Sequence, residues 1–306
     1  MKKEALHKAF QTPILLNVFN RPEETSRVLA VLAEQQVPVL YVHCDGAREG
    51  RKNDDENVAA VKQLIKEGVT WPCEVHTMYE ERNYGCGMGP YRAMTWFFEN
   101  VEEGIILEDD CVPHPDFFMY CQELLERYRD NERIAVIGGT NRHPDRVRSK
   151  YSYYFSPYAE TWGWATWRRV WQQYEYDFDI TDFDFLRHVL PHIKSYGVAR
   201  HWLNLLRQMR KDNAAGTKTY WDFQLDLLSL YKHWINIIPS VNMISNIGFN
   251  SRATHTFGSS HANAAVHGIF PLKHPQRIYI NLSGNKEFNI MGHLVKQFIK
   301  RLIHVK

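Results

Sequence analysis

The sequence predicts a mixed α/β protein with a central, mostly parallel sheet flanked by helices, a helical insertion and a C-terminal amphipathic helix. Three observations carry this prediction. Across residues 13–113, short apolar β-forming runs alternate with segments of helical periodicity, the order that builds a parallel sheet. The run Gly104-Ile105-Ile106-Leu107 passes directly into Glu108-Asp109-Asp110 and then Pro113, as expected of a buried strand ending in an acidic turn. Residues 177–218 are polar and helical, rich in His and Arg, and read as an insertion or lid beside a site.

Taken in order, Pro13 to Phe19 reads as a first strand. Asn20-Arg21-Pro22-Glu23-Glu24-Thr25 then supplies start signals for a helix through Val28, Leu29, Val31 and Leu32. Val37 to His43 is a second strand ending in Cys44-Asp45-Gly46. A helix through Val58, Val61, Leu64 and Ile65 follows, then a strand around Glu74 to Met78. Arg82 to Pro90 is Gly-rich and leads into a helix through Met94, Trp96, Phe97 and Phe98. Such a segment either lets backbone amides approach phosphate or simply makes a tight turn. Beyond the acidic turn, Asp116 opens an amphipathic helix to about Arg129. Strands follow at Ile134 to Ile137 and Tyr151 to Phe155, and another at Trp234 to Ile238.

Composition limits the function. The chain has 306 residues, 44% hydrophobic and 13% aromatic, enough for one large domain or two halves sharing a core. Its 37 basic and 35 acidic residues leave a net charge of +2, which gives no general attraction to nucleic acid. Five cysteines, none spaced C-x-x-C, indicate neither a disulfide framework nor a zinc site. No signal-like apolar stretch follows the basic N-terminus, and no apolar run approaches the ~18 residues that span a bilayer. A cytoplasmic protein is expected.

Residues able to carry chemistry fall in four places. The triplet Glu108-Asp109-Asp110 suits a hard cation such as Mg²⁺ or Mn²⁺, because adjacent carboxylates repel unless neutralised and oxygen ligands favour such ions. Trp162, Trp164, Trp167 and Trp171 crowd ten positions; tryptophan faces stack on sugars, although burial in the core is the competing reading. Asp222 opens a helix with Phe223, Leu227, Leu228 and Leu230, as a reactive carboxylate or as an N-terminal capping charge. A Gly/Ser-rich loop carries His255 and His261, and imidazole can complete a metal shell or bind diphosphate. Finally, Leu294, Val295, Phe298, Leu302 and Val305 form a stripe with Lys296, Lys300, Arg301 and Lys306 mostly off it, a pattern suited to an anionic membrane surface.

Together these motifs resemble the GT-A (Rossmann-like) nucleotide-sugar glycosyltransferases, in particular the N-acetylglucosaminyltransferase I type family and its bacterial relatives. The resemblance is carried by Ile106-Leu107-Glu108-Asp109-Asp110 with Pro115-Asp116-Phe117-Phe118, by Trp162-Gly163-Trp164 with Trp171, and by Trp221-Asp222, in order over residues 11–260. It implies a catalytic domain at 11–270, with a nucleotide-binding half at 11–113 and an acceptor half at 114–270. The remaining 271–306 form a tail whose residues 288–306 would contact membrane. It implies Mn²⁺ or Mg²⁺ held by Asp110; His255 is taken as a further metal ligand from the chemistry of its imidazole, not from the resemblance. Glu108 and Asp109 would face ribose and donor sugar, Arg21 and Asp45 the nucleoside, and Trp164 the donor. Asp222 would be the general base of an inverting transfer, best matched to N-acetylglucosamine moved from UDP to a glycan or glycolipid hydroxyl.

Two departures stand out. Phe223 replaces a second carboxylate, leaving Asp226 as a rival base, and the stretch between Trp171 and Tyr220 is longer than expected. Two rival functions exist. A sugar nucleotidyltransferase needs a Gly-rich phosphate loop after the first strand, where this chain has Asn20-Arg21-Pro22-Glu23. An inactive carbohydrate-binding scaffold would be expected to lose the triplet or Asp222, and both are present.

Overall fold

The computed structural model describes residues 9–144, 149–193, 196–249 and 263–280. A large, mostly parallel sheet flanked by helices organises them. The first half is β1 (Ile14–Val18), α1 (Pro22–Gln35), β2 (Val39–Cys44), α2 (Asp54–Gly68), β3 (Glu74–Tyr79), α3 (Gly85–Asn100) and β4 (Glu103–Glu108). Next come β5 (Cys111–Pro113), α4 (Asp116–Tyr128), β6 (Ile134–Gly138), β7 (Tyr153–Ser156), β8 (Trp164–Trp167) and α5 (Arg168–Trp171). After the insertion come α8 (Asp222–Tyr231), β9 (Ile235–Pro239) and β10 (Ile244–Asn246).

Eight strands lie in the order β3-β2-β1-β4-β8-β6-β9-β7. Six run one way, while β8 and β7 oppose their neighbours. Ile14, Leu15 and Leu16 are all fully buried, so β1 is covered on both faces, as a strand between crossover helices must be. Burying each such side chain contributes about 1.5–3 kcal/mol. Helix α1 begins with Pro22 and the acidic Glu23 and Glu24, and turns Val28, Leu29 and Leu32 onto the sheet.

Two parts of the sheet differ from the sequence expectation. The tryptophan segment forms β8, hydrogen-bonded antiparallel between β4 and β6, with Trp164, Ala165, Thr166 and Trp167 all buried. The Gly-rich segment is not a loop: α3 already starts at Gly85 and includes Gly87 and Gly89 on its buried face. A two-stranded antiparallel pair of β10 with β5 follows the acidic turn.

The insertion consists of a short helical turn α6 (Asp182–Asp184), continuing as a π turn and a 3₁₀ turn to residue 192, then α7 (Tyr196–Ala215). Thr181 caps α6 with a capping box through Asp184. Phe185, Val189, Val198, Trp202, Leu206 and Met209 build a second apolar cluster that rests on Leu227 and Leu230 of α8. The insertion is thus packed against the helix that opens with Asp222. No helix among the described residues is long and apolar enough to cross a membrane. The predicted C-terminal helix at 288–306, and His255 and His261, lie outside the described residues.

Candidate functional site

The sheet ends its parallel strands on one edge, and Glu108 is the last residue of β4 there. In register it stands beside Asn17 of β1, which in turn stands beside His43 of β2. Asp109 and Asp110 form the turn that follows. That turn is held from both sides: Ile247 donates its N–H to the Asp110 carbonyl at 2.8 Å, and Asn246 pairs with Cys111 across β10 and β5. The backbone N–H of Phe19, at the end of β1, donates to Asp109 Oδ2 at 3.2 Å.

Arg21 meets this turn from the β1–α1 junction. Its Nη1 donates to Asp110 Oδ2 at 2.6 Å and lies 3.5 Å from Asp109 Oδ1. Burial, with Asp110 and Asp109 as like-charged neighbours, raises the Glu108 pKa above the usual carboxylate range, and Asp222 adds to the effect while Arg21 opposes it. Asp109 is raised for the same reasons, burial first and Asp110 second, again against Arg21. Protein cations therefore leave the cluster under-neutralised.

A divalent ion fits this group. Among the described residues, ligand atoms of Glu108, Asp110 and Cys111 lie within 4.8 Å of one another. Two carboxylates suit Mg²⁺ or Mn²⁺, and a sulfur beside them favours the softer Mn²⁺. Gly248 packs directly on Asp110, where a Cβ would overlap Oδ2.

Asp222 comes to the same edge on a different support. It is the first residue of α8, and the preceding Trp221 is buried with its ring stacked on Trp164, centroids 5.8 Å apart at 21°. Tyr174 fixes Trp221 by donating its hydroxyl hydrogen to the Trp221 carbonyl at 2.9 Å. Asp222 is half-buried, and the influence it exerts on Glu108 puts the two carboxylates in one electrostatic neighbourhood. Helix α3 abuts the segment leading to it: at Gly87 a Cβ would come within 2.9 Å of the Tyr220 nitrogen, so only glycine permits this approach.

Three residues occupy different roles from those expected. Trp164 is 1% exposed, so no face is left for a sugar; it packs under Trp221 instead. Asp45 spends its carboxylate on backbone: it accepts the N–H of Tyr84 at 2.9 Å, of Gly85 at 2.8 Å and of Gly46 at 3.0 Å. It is the anion at the N-terminus of α3, not a free nucleoside ligand. Asp226 is 4% exposed and accepts the Ala159 N–H at 2.9 Å, which removes it as a rival base.

No family model matches the chain, and no curated protein matches it. Among solved structures, it is similar to HddC from Yersinia pseudotuberculosis, at 12% identity and a TM-score of 0.35, covering 58% of this chain and 86% of that one. The same protein complexed with GMP-PN matches at 11% identity and a TM-score of 0.32, over 54% of this chain and 80% of that one. A197 from STIV matches at 11% identity and a TM-score of 0.30, over 53% of this chain and 69% of that one. At likeness this slight, the chemistry of the site is read from its own residues.

Several of those residues carried no signal in sequence. Arg48 lies over the Phe19 ring, 5.2 Å from its centroid, and is gripped by Asp54 through Nε at 2.6 Å and Nη2 at 3.0 Å. Asn20 donates to the same Asp54 carboxylate at 2.7 Å. Together they fix a guanidinium and an aromatic face after β1 and β2, with Arg48 near enough to Arg21 for the two cations to repel. An Arg–Asp pair six residues apart, from a loop to the first residue of α2, has no helical periodicity to reveal it. Gly248 and Cys111 were equally silent, since what matters is their contact with Asp110.

Proposed function

We propose that the chain is a metal-dependent glycosyltransferase that moves a sugar from a nucleoside diphosphate to a glycan or glycolipid hydroxyl. The observation that carries this reading is the convergence of Asp222 on the Glu108-Asp109-Asp110 turn. A lone acidic turn needs no explanation beyond solvation; a fourth carboxylate, delivered by a separate helix and perturbing Glu108, gives the site an electrostatic end and a candidate base.

Each residue then has work suited to its position. Asp110, with Glu108, would hold the divalent ion, whose positive charge offsets the charge growing on the departing diphosphate. Asp109, fixed by the Phe19 amide, and Glu108 would meet ribose and donor sugar. Arg21 and Arg48 add guanidinium forks matched to phosphate oxygens. The acceptor hydroxyl oxygen attacks the anomeric carbon, its proton passes to an Asp222 carboxylate oxygen, and the bond from the anomeric carbon to the diphosphate oxygen breaks with its electron pair. A single displacement of this kind inverts the centre. The protected position of Trp221 holds the base in place. UDP and N-acetylglucosamine are the favoured donor parts, through the family likeness of the motifs.

Calorimetric titration with UDP and GDP, with and without Mn²⁺, on the wild type and Asp110→Ala tests this. Metal-dependent binding of one nucleotide that is lost in the variant supports the reading. Failure of both nucleotides to bind would sink it.

A further inference from the structure

The Arg21 guanidinium and a divalent ion have one carboxylate between them. Nη1 of Arg21 donates to Asp110 Oδ2 at 2.6 Å, and Asp110 belongs to the Glu108, Asp110 and Cys111 group able to ligate a metal. The backbone of Arg21 is not free to move: its carbonyl accepts both the N–H of Thr25 at 2.9 Å and the hydroxyl of Thr25 at 2.7 Å, which pins the first turn of α1. Its side chain is 15% exposed, and among the described residues its head group is held by the Asp109 and Asp110 carboxylates. The head group can therefore leave Asp110 by side-chain rotation alone, with the fold around it unchanged.

We propose that Arg21 is a resident cation that competes with the divalent ion for Asp110 and is transferred to the donor's diphosphate when that ion arrives. This rests on the reading of the triplet as a metal site. Two like charges on one carboxylate repel strongly where little water screens them. An ion arriving alone must push the guanidinium off Asp110, its shortest contact, leaving it the 3.5 Å approach to Asp109 and most of its five donors unsatisfied. An ion arriving with a diphosphate brings the guanidinium a partner, because planar guanidinium forks pair with phosphate oxygens in a bidentate fashion. Metal and nucleotide binding are thereby coupled, each strengthening the other by the same factor. The empty site keeps one resident cation on Asp110, while the loaded site has its arginine on the phosphates.

The proposal makes a claim about metal alone, which separates it from the question of whether a nucleotide binds at all. Free Mn²⁺ is measured by electron paramagnetic resonance during titration of the full chain without nucleotide, in the wild type, Arg21→Gln and Arg21→Lys. Arg21→Gln is expected to bind Mn²⁺ about tenfold more tightly than the wild type, within the usual range of coupling between sites. Arg21→Lys, which keeps the charge but lacks the fork, is expected to gain about threefold. Thermal melts of each variant check folding, and if Arg21→Gln does not fold, Arg21→Lys decides. Mn²⁺ affinity that is unchanged or weaker in the folded variants, or no Mn²⁺ binding by any of the three proteins, overturns the proposal. Nucleotide titration of the wild type separately decides the transferase reading.

Discussion

The indole of Trp164 stacks on that of Trp221 with centroids 5.8 Å apart, joining the strand beside β4 to the residue immediately before Asp222. The acidic turn and the candidate base therefore share one rigid support. That contact turns two motifs separated by more than fifty positions into a single edge of the sheet.

Trp164 should accordingly behave as core. Trp164→Ala is expected to cost about 3–5 kcal/mol in urea unfolding, the usual loss for truncating a buried large aromatic. Trp164→Phe, which keeps an aromatic floor, should leave nucleotide affinity within about twofold of the wild type, since core exchanges that nearly conserve volume are tolerated best. A large loss of affinity in a stable Trp164→Phe protein would return this residue to the donor site.

Asp222 and Asp226 separate cleanly by experiment. Asp222→Asn is expected to lower kcat by about 10²–10⁴-fold with donor affinity retained, as removal of a general base does. Asp226→Ala removes the acceptor for the buried Ala159 amide and should cost about 1–3 kcal/mol of stability, seen in denaturant melts. Residual turnover per folded molecule in Asp226→Ala should remain near wild type. The opposite pattern would exchange their roles.

How far the sequence foretold this arrangement depended on the kind of interaction. Strands β1 and β4 announced themselves because a twice-covered strand must be a continuous apolar run, and Glu108 to Asp110 stood out as charge at the end of β4. Strand β8 did not: Trp164-Ala165-Thr166-Trp167 is aromatic enough to suggest a sugar-stacking surface, and only the burial of all four residues in the packed sheet shows that both faces are covered. Asp45 misled in a related way. A carboxylate after a strand can serve a ligand or the N-terminus of the next helix, and its choice depends on where Tyr84 and Gly85 arrive, some forty residues later. Arg21 was visible as a cation near the first turn, while its pairing with Asp110 required the packed sheet.

His43 provides a pH signature. It is 1% exposed, its Nδ1 lies 2.6 Å from Asn17 Oδ1, and burial lowers its pKa from 6.5 to about 4, with Arg92 assisting and Glu80 opposing. A depressed histidine pKa means that the unfolded chain binds the proton more readily, so its stability contribution is complete above pH 6.5 and is lost as pH falls toward 4. The loss amounts to about 3 kcal/mol across that window. Carboxylates also titrate there, so the quantity to measure is the unfolding free energy of the wild type minus that of His43→Gln at each pH. That difference should fall on acidification through the window and stay flat above it. A flat difference throughout would mean that His43 is not held neutral.

Gly248 tests whether Asp110 must hold its position. A methyl group there would overlap Asp110 Oδ2, so Gly248→Ala forces either the carboxylate or the strand end at Asn246 to shift. Overpacking of this sort typically costs about 1–3 kcal/mol. The Asp110 carbonyl is held by the Ile247 amide and the turn is fixed by β5 and β10, so the side chain is the cheaper element to move. Moving it pulls Asp110 away from Glu108 and Cys111 while the rest of the fold persists. The expected result is a modest fall in melting temperature with metal-dependent nucleotide affinity reduced by about tenfold, or ~1.4 kcal/mol. Calorimetry on the folded variant checks it. Unaltered affinity would show that Asp110 can be displaced without consequence, and would remove that carboxylate from the metal site.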